Sequence, residues 1–399
     1  MGSTSYAAYQ QEIYARGVSG ELPPFTTDPE MLEESARRQL APGPFAYVAG
    51  PAGAGTTMRA NRAAFDRWRL VPRMLTRSAQ RYLETSVLGT RMPAPVLVGP
   101  VGVQSIVHPD GELATARASA ELGLTMVLST MSSYSIEDVA QANGTGSRWF
   151  QLYWPNDDDL TVSLLERARV AGFTVLVVTL DTMSLGWRPS IVDLAYLPML
   201  RGAGTAVFFS DPVFRAGLTK PPEADLPAAV DRWARMLATA PRGWSELGFL
   251  REHWPGPIVL KGIQHVEDAK LAVQHGLDGI VVSNHGGRQV DGAVAALQML
   301  PEIVDAVGDR LTVLFDSGVR TGADVLKARA LGAQAVLLGR PYVYGLAHAG
   351  QLGVRHVLRA LLADVDLTLG LAGYHSLAEL DRGALRDCEG RGCVCGGRG

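Results

Sequence analysis

The sequence predicts an α/β fold, a single (β/α)8 barrel of TIM type over residues 1–399, with an N-terminal helical extension and a long insertion between strands four and five. Three observations carry that expectation. Eight short apolar runs follow one another from about residue 95, and amphipathic segments separate most of them. Polar or charged groups stand at nearly every run's C-terminal end, the rim where such barrels carry function.

Residues 1–70 read as helical and peripheral. Asp28-Pro29 followed by "EMLEESARRQL" combines an N-cap, a proline at the first helical position and acidic residues in the first turn. The runs then come in order: "PVLVGP" (95–100), "TMVLST" (125–130), "WFQLY" (149–153), "VLVVTL" (175–180), "PIVLKG" (257–262), "GIVVSN" (279–284), "LTVLFD" (311–316) and "QAVLLG" (334–339). Segments such as "PDGELATARASAELG", "LTVSLLERARVAG", "VEDAKLAVQHG" and "TGADVLKARALG" fall between them. Strand alternating with helix implies parallel pairing, because parallel neighbours need a crossover. A doubly wound open sheet is the alternative, weakened by the lack of GxGxxG after the first strand.

Roughly eighty residues separate strands four and five, far more than an ordinary loop. The stretch, about 183–256, is rich in proline, glycine and aromatics through "SDPVF" and beyond, and is expected to form a lid over the site. A packing or subunit-contact insertion is the plainer alternative.

The composition is that of an ordinary globular protein: 47% hydrophobic, 19% charged, formal net charge −3. So balanced a charge gives no sign of nucleic-acid or acidic-membrane binding. No apolar run approaches the ~20 residues of a membrane span, and "MGSTSYAAYQQEIYARG" lacks the layout of a signal peptide, so a cytoplasmic protein is expected. Cys388, Cys393 and Cys395 all lie near the C-terminus, which leaves the body without a disulfide framework. The tail, about 386–399, could be a metal clip, but three thiols and no histidine in a glycine-rich stretch favour a frayed end and no metal.

Read in order, the strand ends offer Gly102, Ser129, Gln151 with Tyr153, Thr179 with Asp181, Lys261, then Ser283, His285 and Arg288, then Asp316, Gly318 and Arg320, and finally Gly339-Arg340. Singly, each has a bland explanation, such as a solvated lysine or a structural histidine. Convergence of eight ends on one rim makes a site. "FDSGVRTG" and "LLGRPY" supply glycines for close backbone approach and two arginines for a dianion, as in a phosphate site. In "SNHGGRQ", His285 can serve as a base and Arg288 as a carboxylate fork, while Lys261 can stabilise developing negative charge. Base, clamp and anion stabiliser around a phosphate-anchored cofactor describe oxidation of a 2-hydroxy acid on a flavin.

"SNHGGRQ" also resembles the signature of the FMN-dependent 2-hydroxy-acid oxidase and dehydrogenase family, and the resemblance runs from "FAYVAGPAG" (45–53) to "GRPYVYGLA" (339–347). "VTLDTMSLGWRP" (178–189), "SDPVF" (210–214), "LKGIQH" (260–265), "LFDSGVRTGADVLKA" (314–328) and "EIYARGVSG" (12–20) are most similar to the lactate 2-monooxygenases of that family. The resemblance implies FMN, a small 2-hydroxy acid such as lactate, molecular oxygen, and a homo-oligomer, tetramer or octamer. It makes His285 the catalytic base. It gives the substrate carboxylate to Arg288, Arg188 and Tyr47, and the substrate oxygens to Tyr153. Pro100, Gly102, Ser129, Gln151, Thr179, Lys261 and Ser283 line the flavin ring system. Asp316, Gly318, Arg320, Gly339 and Arg340 hold ribityl and phosphate.

Two departures stand out. Met131 lies in the substrate pocket where glycolate oxidases have tryptophan, and Ser317 replaces the middle glycine of the commoner "DGG". Gly102 stands where oxidases of the family usually have alanine, which together with the long insertion favours oxidative decarboxylation. Release of keto acid with peroxide, as in an oxidase, or transfer to a quinone, as in a mandelate-type dehydrogenase, remains the alternative. A non-redox phosphate-binding barrel would leave His285, Arg288 and Tyr47 without a task, and a barrel retained as a scaffold would not need the full set.

Overall fold

The protein is described by a computed structural model covering residues 5–76, 80–237 and 242–388. Eight strands form a closed parallel barrel: β1 (Val96–Val98), β2 (Met126–Ser129), β3 (Arg148–Leu152), β4 (Leu176–Thr179), β5 (Ile258–Ile263), β6 (Gly279–Val282), β7 (Thr312–Phe315) and β8 (Ala335–Leu338). Closure is made by β8 against β1, in the register Val336↔Val96 to Leu338↔Val98, which an open doubly wound sheet would not contain.

The strands read as continuous apolar runs because both of their faces are buried. Leu97, Val127, Trp149, Val177, Val259, Val281, Leu314 and Leu337 meet inside the barrel. The alternating residues, such as Val96, Leu128, Phe150 and Leu260, pack outward with the helical layer. At the end opposite the site the interior is stoppered by an antiparallel hairpin, Thr85–Val87 with Thr90–Met92, whose Val87 and Met92 are fully buried in the same cluster. Trp149 Nε1 donates to Thr90 Oγ1 at 3.1 Å, which satisfies an indole that would otherwise be stranded in the core. This hairpin was not expected, since each of its strands is only three residues long.

Helices start where local chemistry favours them. Asp28 caps Pro29–Gln39 by accepting from Glu30 N at 2.8 Å, as the sequence suggests. Asp157 caps Asp158–Val170, and Thr321 forms a capping box with Asp324 before Gly322–Ala330.

The segment between β4 and β5 is more ordered than its composition suggests. It contains the short helices Pro189–Val192, Ala206–Phe209 and Pro212–Ala216, then Leu226–Leu237 and Leu247–His253. Asp211 of "SDPVF" is completely buried: it caps its own short helix through Val213 N at 2.9 Å and accepts from Ser163 Oγ at 2.8 Å and Arg167 Nη1 at 3.0 Å. That motif therefore fastens the insertion to the helix after β3.

The tail was expected to fray from about residue 386, but residues 385–387 are held in place. Leu385–Asp387 pairs antiparallel with Trp68–Leu70, and Arg67 makes a fork onto Asp387 at 2.7 and 3.0 Å, so backbone and ion pairing both hold this end. Cys393 and Cys395 lie outside the described residues. Among the described residues no metal-ligating cluster occurs, and no helix is long and apolar enough to cross a membrane.

Candidate active site

The C-terminal ends of the barrel strands open into one cavity of about 740 Å³. Of the residues singled out above, Tyr47, Pro100, Gly102, Ser129, Met131, Tyr153, Thr179, Arg188, Lys261 and His285 line it. Arg288, Asp316, Gly318, Arg320, Gly339 and Arg340 do so as well. Gln151 and Ser283 do not reach the lining; both are buried directly behind it.

His285 is held in the left-handed region at φ +57°, a conformation that a non-glycine residue keeps only where its surroundings impose it. Its backbone N–H donates to Ser283 Oγ at 3.1 Å. Its ring Nδ1 lies 2.8 Å from Asp181 Oδ1 and 3.3 Å from Thr182 Oγ1. Burial lowers the imidazole's proton affinity below its ordinary value, and the Asp181 carboxylate offsets this only in part. Burial pushes the Asp181 carboxyl up, but His285 and Lys261 outweigh it and bring the carboxyl down to about 2. The pair at neutral pH is therefore a neutral imidazole beside a carboxylate, with Nδ1–H turned to Asp181 and Nε2 left free to take a proton. The sequence placed Asp181 at the rim but gave it no role; its signal was a carboxylate two residues beyond Thr179 at the end of β4.

Lys261 is buried on β5, 2.9 Å from Asp316 Oδ2 and 3.0 Å from Ser283 Oγ. Burial would lower its pKa, yet Asp316 and Asp181 together raise it above the ordinary value, so the ammonium stays charged. Tyr153 is pushed up to about 12, by burial first and the Asp181 carboxylate second, and remains a phenol.

The arginines also hold neighbouring chain segments in place. Arg288 donates to three carbonyls of the N-terminal segment, Tyr47 at 2.6 Å, Gly50 at 2.7 Å and Val48 at 3.0 Å. It thus clasps that segment onto the barrel as well as facing the cavity. Arg188 reaches Arg288 O at 2.9 Å and Gln289 Oε1 at 2.6 Å, so Gln289 emerges as the residue that aims it. Burial, together with repulsion from Arg188 and Arg340, depresses the proton affinity of Arg288 strongly. A pocket holding that much uncompensated positive charge is built for an anion.

A second anion site lies where β7 and β8 end. Arg320 and Arg340 face the cavity and form no ion pair among the described residues. Arg320 is pulled down to about 10 by burial, and Arg340 Nη2 is buried without a partner. Gly318, at φ +100°, lets the loop pass so close that a Cβ there would lie 2.9 Å from Asn61 O. On the far side, the buried Gln151 Nε2 also has no partner. Two unpaired arginines on a glycine cradle, and an orphaned amide donor beneath the rim, fit the phosphate and the polar ring edge of FMN.

Gly102 has a reason of its own. A Cβ on it would meet Met131 Cβ at 2.6 Å and Met131 O at 2.7 Å, while Val103 N donates to that same carbonyl at 2.8 Å. Glycine here permits the loop after β1 to lie against the loop after β2. The insertion and its neighbours also line the cavity with apolar side chains that the sequence did not single out, Trp154, Leu185, Leu197, Met199, Trp233 and Trp244.

The FMN-dependent dehydrogenase family model matches residues 36–387. The chain is 50% identical over 390 residues, 97% of each chain, to the FMN-dependent alpha-hydroxy acid dehydrogenase qulF of Penicillium citrinum. It is 41% identical to the L-lactate oxidase of Lysinibacillus sphaericus, covering 88% of this chain and 90% of that one. A crystal structure of mandelate oxidase superposes with a TM-score of 0.80 at 40% identity, over 91% of this chain and 98% of that one.

Proposed function

The chain belongs to the FMN-dependent 2-hydroxy-acid oxidase and dehydrogenase family, and on that premise we propose that it oxidises an L-2-hydroxy acid carrying an apolar side chain larger than a methyl group, with oxygen as final acceptor. The observation that carries the reaction is the His285–Asp181 pair at 2.8 Å, opening on the same cavity as Lys261 and Arg188.

Arg320, Arg340, Asp316, Gly318 and Gly339 would hold FMN, with Gly102, Ser129, Gln151 and Thr179 along its ring system, and the cofactor would supply a two-electron acceptor. The substrate carboxylate is drawn to Arg188 and Arg288 and to the phenol of Tyr47. His285 Nε2 takes the hydroxyl proton, and Asp181 balances the imidazolium that results. Lys261 places positive charge where negative charge develops. The substrate loses two electrons and two protons and becomes a 2-keto acid. Oxygen takes up the two electrons and two protons as hydrogen peroxide.

The apolar lining of Trp154, Leu197, Met199, Trp233 and Trp244 supports a bulky apolar side chain, which would contact more of it than lactate's methyl would. The same lining supports a second reading for the product. Leu185, Leu197 and Met199 belong to the insertion and roof the cavity, which favours retention of the keto acid. Peroxide formed beside it would decarboxylate it to an acid one carbon shorter, carbon dioxide and water.

Anaerobic mixing of the holoenzyme with lactate, mandelate and longer aliphatic 2-hydroxy acids tests the substrate. Bleaching of the flavin should be fastest with the bulkier acids; fastest bleaching by lactate would refute the size assignment. Admission of oxygen then separates the products. Free keto acid with equimolar peroxide means simple oxidation, the shortened acid means decarboxylation, and no reoxidation until a quinone is added means a dehydrogenase.

A further inference from the structure

We propose that Ser317 is a positioning residue for the catalytic base: its hydroxyl joins the β7 loop to both backbone N–H groups that flank His285 and so sets the strained loop that presents the imidazole. The proposal rests on the reading of His285 as the base and adds a residue to that machinery.

Ser317 sits just past β7 with φ +83°, in the left-handed region that favours glycine. Its side chain gains nothing by packing there, being a single hydroxymethyl group. What it gains is hydrogen bonding. Ser317 Oγ accepts from Gly286 N at 3.0 Å and from Asn284 N at 3.2 Å, and donates to Asp316 Oδ1 at 2.8 Å. The remaining N–H of the three, that of His285, goes to Ser283 Oγ. Three consecutive amides around the base are thus received by two serine hydroxyls, and the backbone between them is held at φ +57° for His285 and +66° for Gly286.

The two hydroxyls are also linked to one charge pair. Asp316 receives Ser317 Oγ on one oxygen and Lys261 Nζ on the other, and Lys261 donates in turn to Ser283 Oγ. Ser317 is nearly buried, so water does not substitute easily for its hydroxyl. With the hydroxyl removed, the amides of Asn284 and Gly286 lose their acceptor, and in this chain, where serine stands in place of the commoner glycine, the strained loop loses its tie to β7. Displacement of a reacting group by ~1 Å is enough to slow a reaction by roughly 10²-fold.

Ser317→Gly and Ser317→Ala, compared as FMN-loaded enzymes, test this. Glycine removes the hydroxyl and the conformational strain together, whereas alanine removes the hydroxyl and keeps the strain. Both should bind FMN as wild type does and show anaerobic flavin reduction slowed by roughly 10–100-fold at saturating substrate, with KM little changed. The alanine variant, which keeps the strain, should melt lower than the glycine variant. Reduction by Ser317→Gly at the wild-type rate would overturn the proposal. So would slowing confined to the alanine variant, which would assign the effect to strain, or loss of FMN from both, which would make Ser317 a cofactor ligand. Failure of wild type to be reduced by any 2-hydroxy acid would instead remove the underlying reading, and is seen before either variant is compared.

Discussion

Asp181 Oδ1 and His285 Nδ1 lie 2.8 Å apart, although 104 residues separate them in the chain. The contact joins the end of β4 to the loop after β6 and fixes which ring nitrogen carries the proton. With Nδ1–H committed to the carboxylate, only Nε2 is available to the substrate. Asp181→Asn removes that charge. The variant should retain FMN yet reduce it roughly 10²–10⁴-fold more slowly, the range associated with losing a base's correct tautomer. Stopped-flow absorbance under anaerobic conditions checks it, and a variant as fast as wild type would detach the carboxylate from catalysis.

The same pair sets a pH dependence. A base works only while neutral, and burial lowers the proton affinity of His285 below that of an ordinary imidazole. The rate of flavin reduction should therefore rise with pH and level off below the pH range in which free imidazole titrates. Asp181 acts in the opposite sense, raising the histidine's affinity for a proton. In Asp181→Asn the acid limb should consequently move to still lower pH while the plateau falls. An acid limb displaced upward would contradict a neutral imidazole facing a carboxylate.

Arg340 reaches the loop of His285 and keeps one nitrogen for the cofactor end of the cavity. Its Nη1 donates to Gly286 O at 3.0 Å, its Nε to Val48 O at 3.2 Å, and its Nη2 is left over. Arg340→Ala should weaken FMN retention by at least tenfold, because a charge-assisted contact to phosphate is among the stronger hydrogen bonds. In the fraction of enzyme that still holds FMN, the rate of reduction by substrate should change less than FMN retention does. Equal FMN content in both proteins after gel filtration would refute the phosphate assignment.

Much of this was legible in the sequence, for identifiable reasons. Parallel strands buried on both faces leave unbroken apolar runs, and a barrel collects polar residues where those runs end, so "LFD" and "VVSNH" reveal fold and site together. The hairpin at 85–92 was invisible because three-residue strands carry no periodicity; of its residues only Val87 and Met92 are fully buried. Asp181 was on the page without its role, because a dyad across 104 residues exists only once β4 and β6 are placed around the same mouth. Arg288 has a second task that the sequence did not show: three of its hydrogen bonds go to Tyr47, Val48 and Gly50. Backbone carbonyls leave no trace in a sequence.

The hairpin stopper gives a prediction about stability alone. Trp149 is fully buried and its indole N–H has Thr90 Oγ1 as acceptor. Thr90→Val keeps the side chain's shape and removes the acceptor, so a buried donor is left unsatisfied. The expected loss is about 1–3 kcal/mol, with the reduction rate unchanged because the stopper lies at the opposite end of the barrel from His285. Denaturant unfolding of the two holoenzymes measures it; unchanged stability would mean that the hairpin is not fastened through Trp149.

Gly102→Ala tests how the loops after β1 and β2 shape the site. An added methyl would stand 2.6 Å from Met131 Cβ and 2.7 Å from its carbonyl oxygen, closer than packed atoms tolerate. Gly204 is already pressed against the same carbonyl, since a Cβ there would lie 2.9 Å from it, so Met131 has little room to retreat on that side. The methyl therefore acts first on Met131 and through it on the cavity that Met131 lines. The variant should lose about 1–3 kcal/mol of stability, as overpacked interiors do. Its preference between lactate and bulkier acids should shift as Met131 is displaced. Where wild type forms the shortened acid, the variant should release more free keto acid and peroxide, because a displaced Met131 holds product less well. Measurement of the melting point, the substrate ranking and the product ratio on one preparation decides the matter. A variant unchanged in all three would show that the Gly102–Met131 contact relaxes without consequence, and the reason for glycine would then have to lie at the flavin itself.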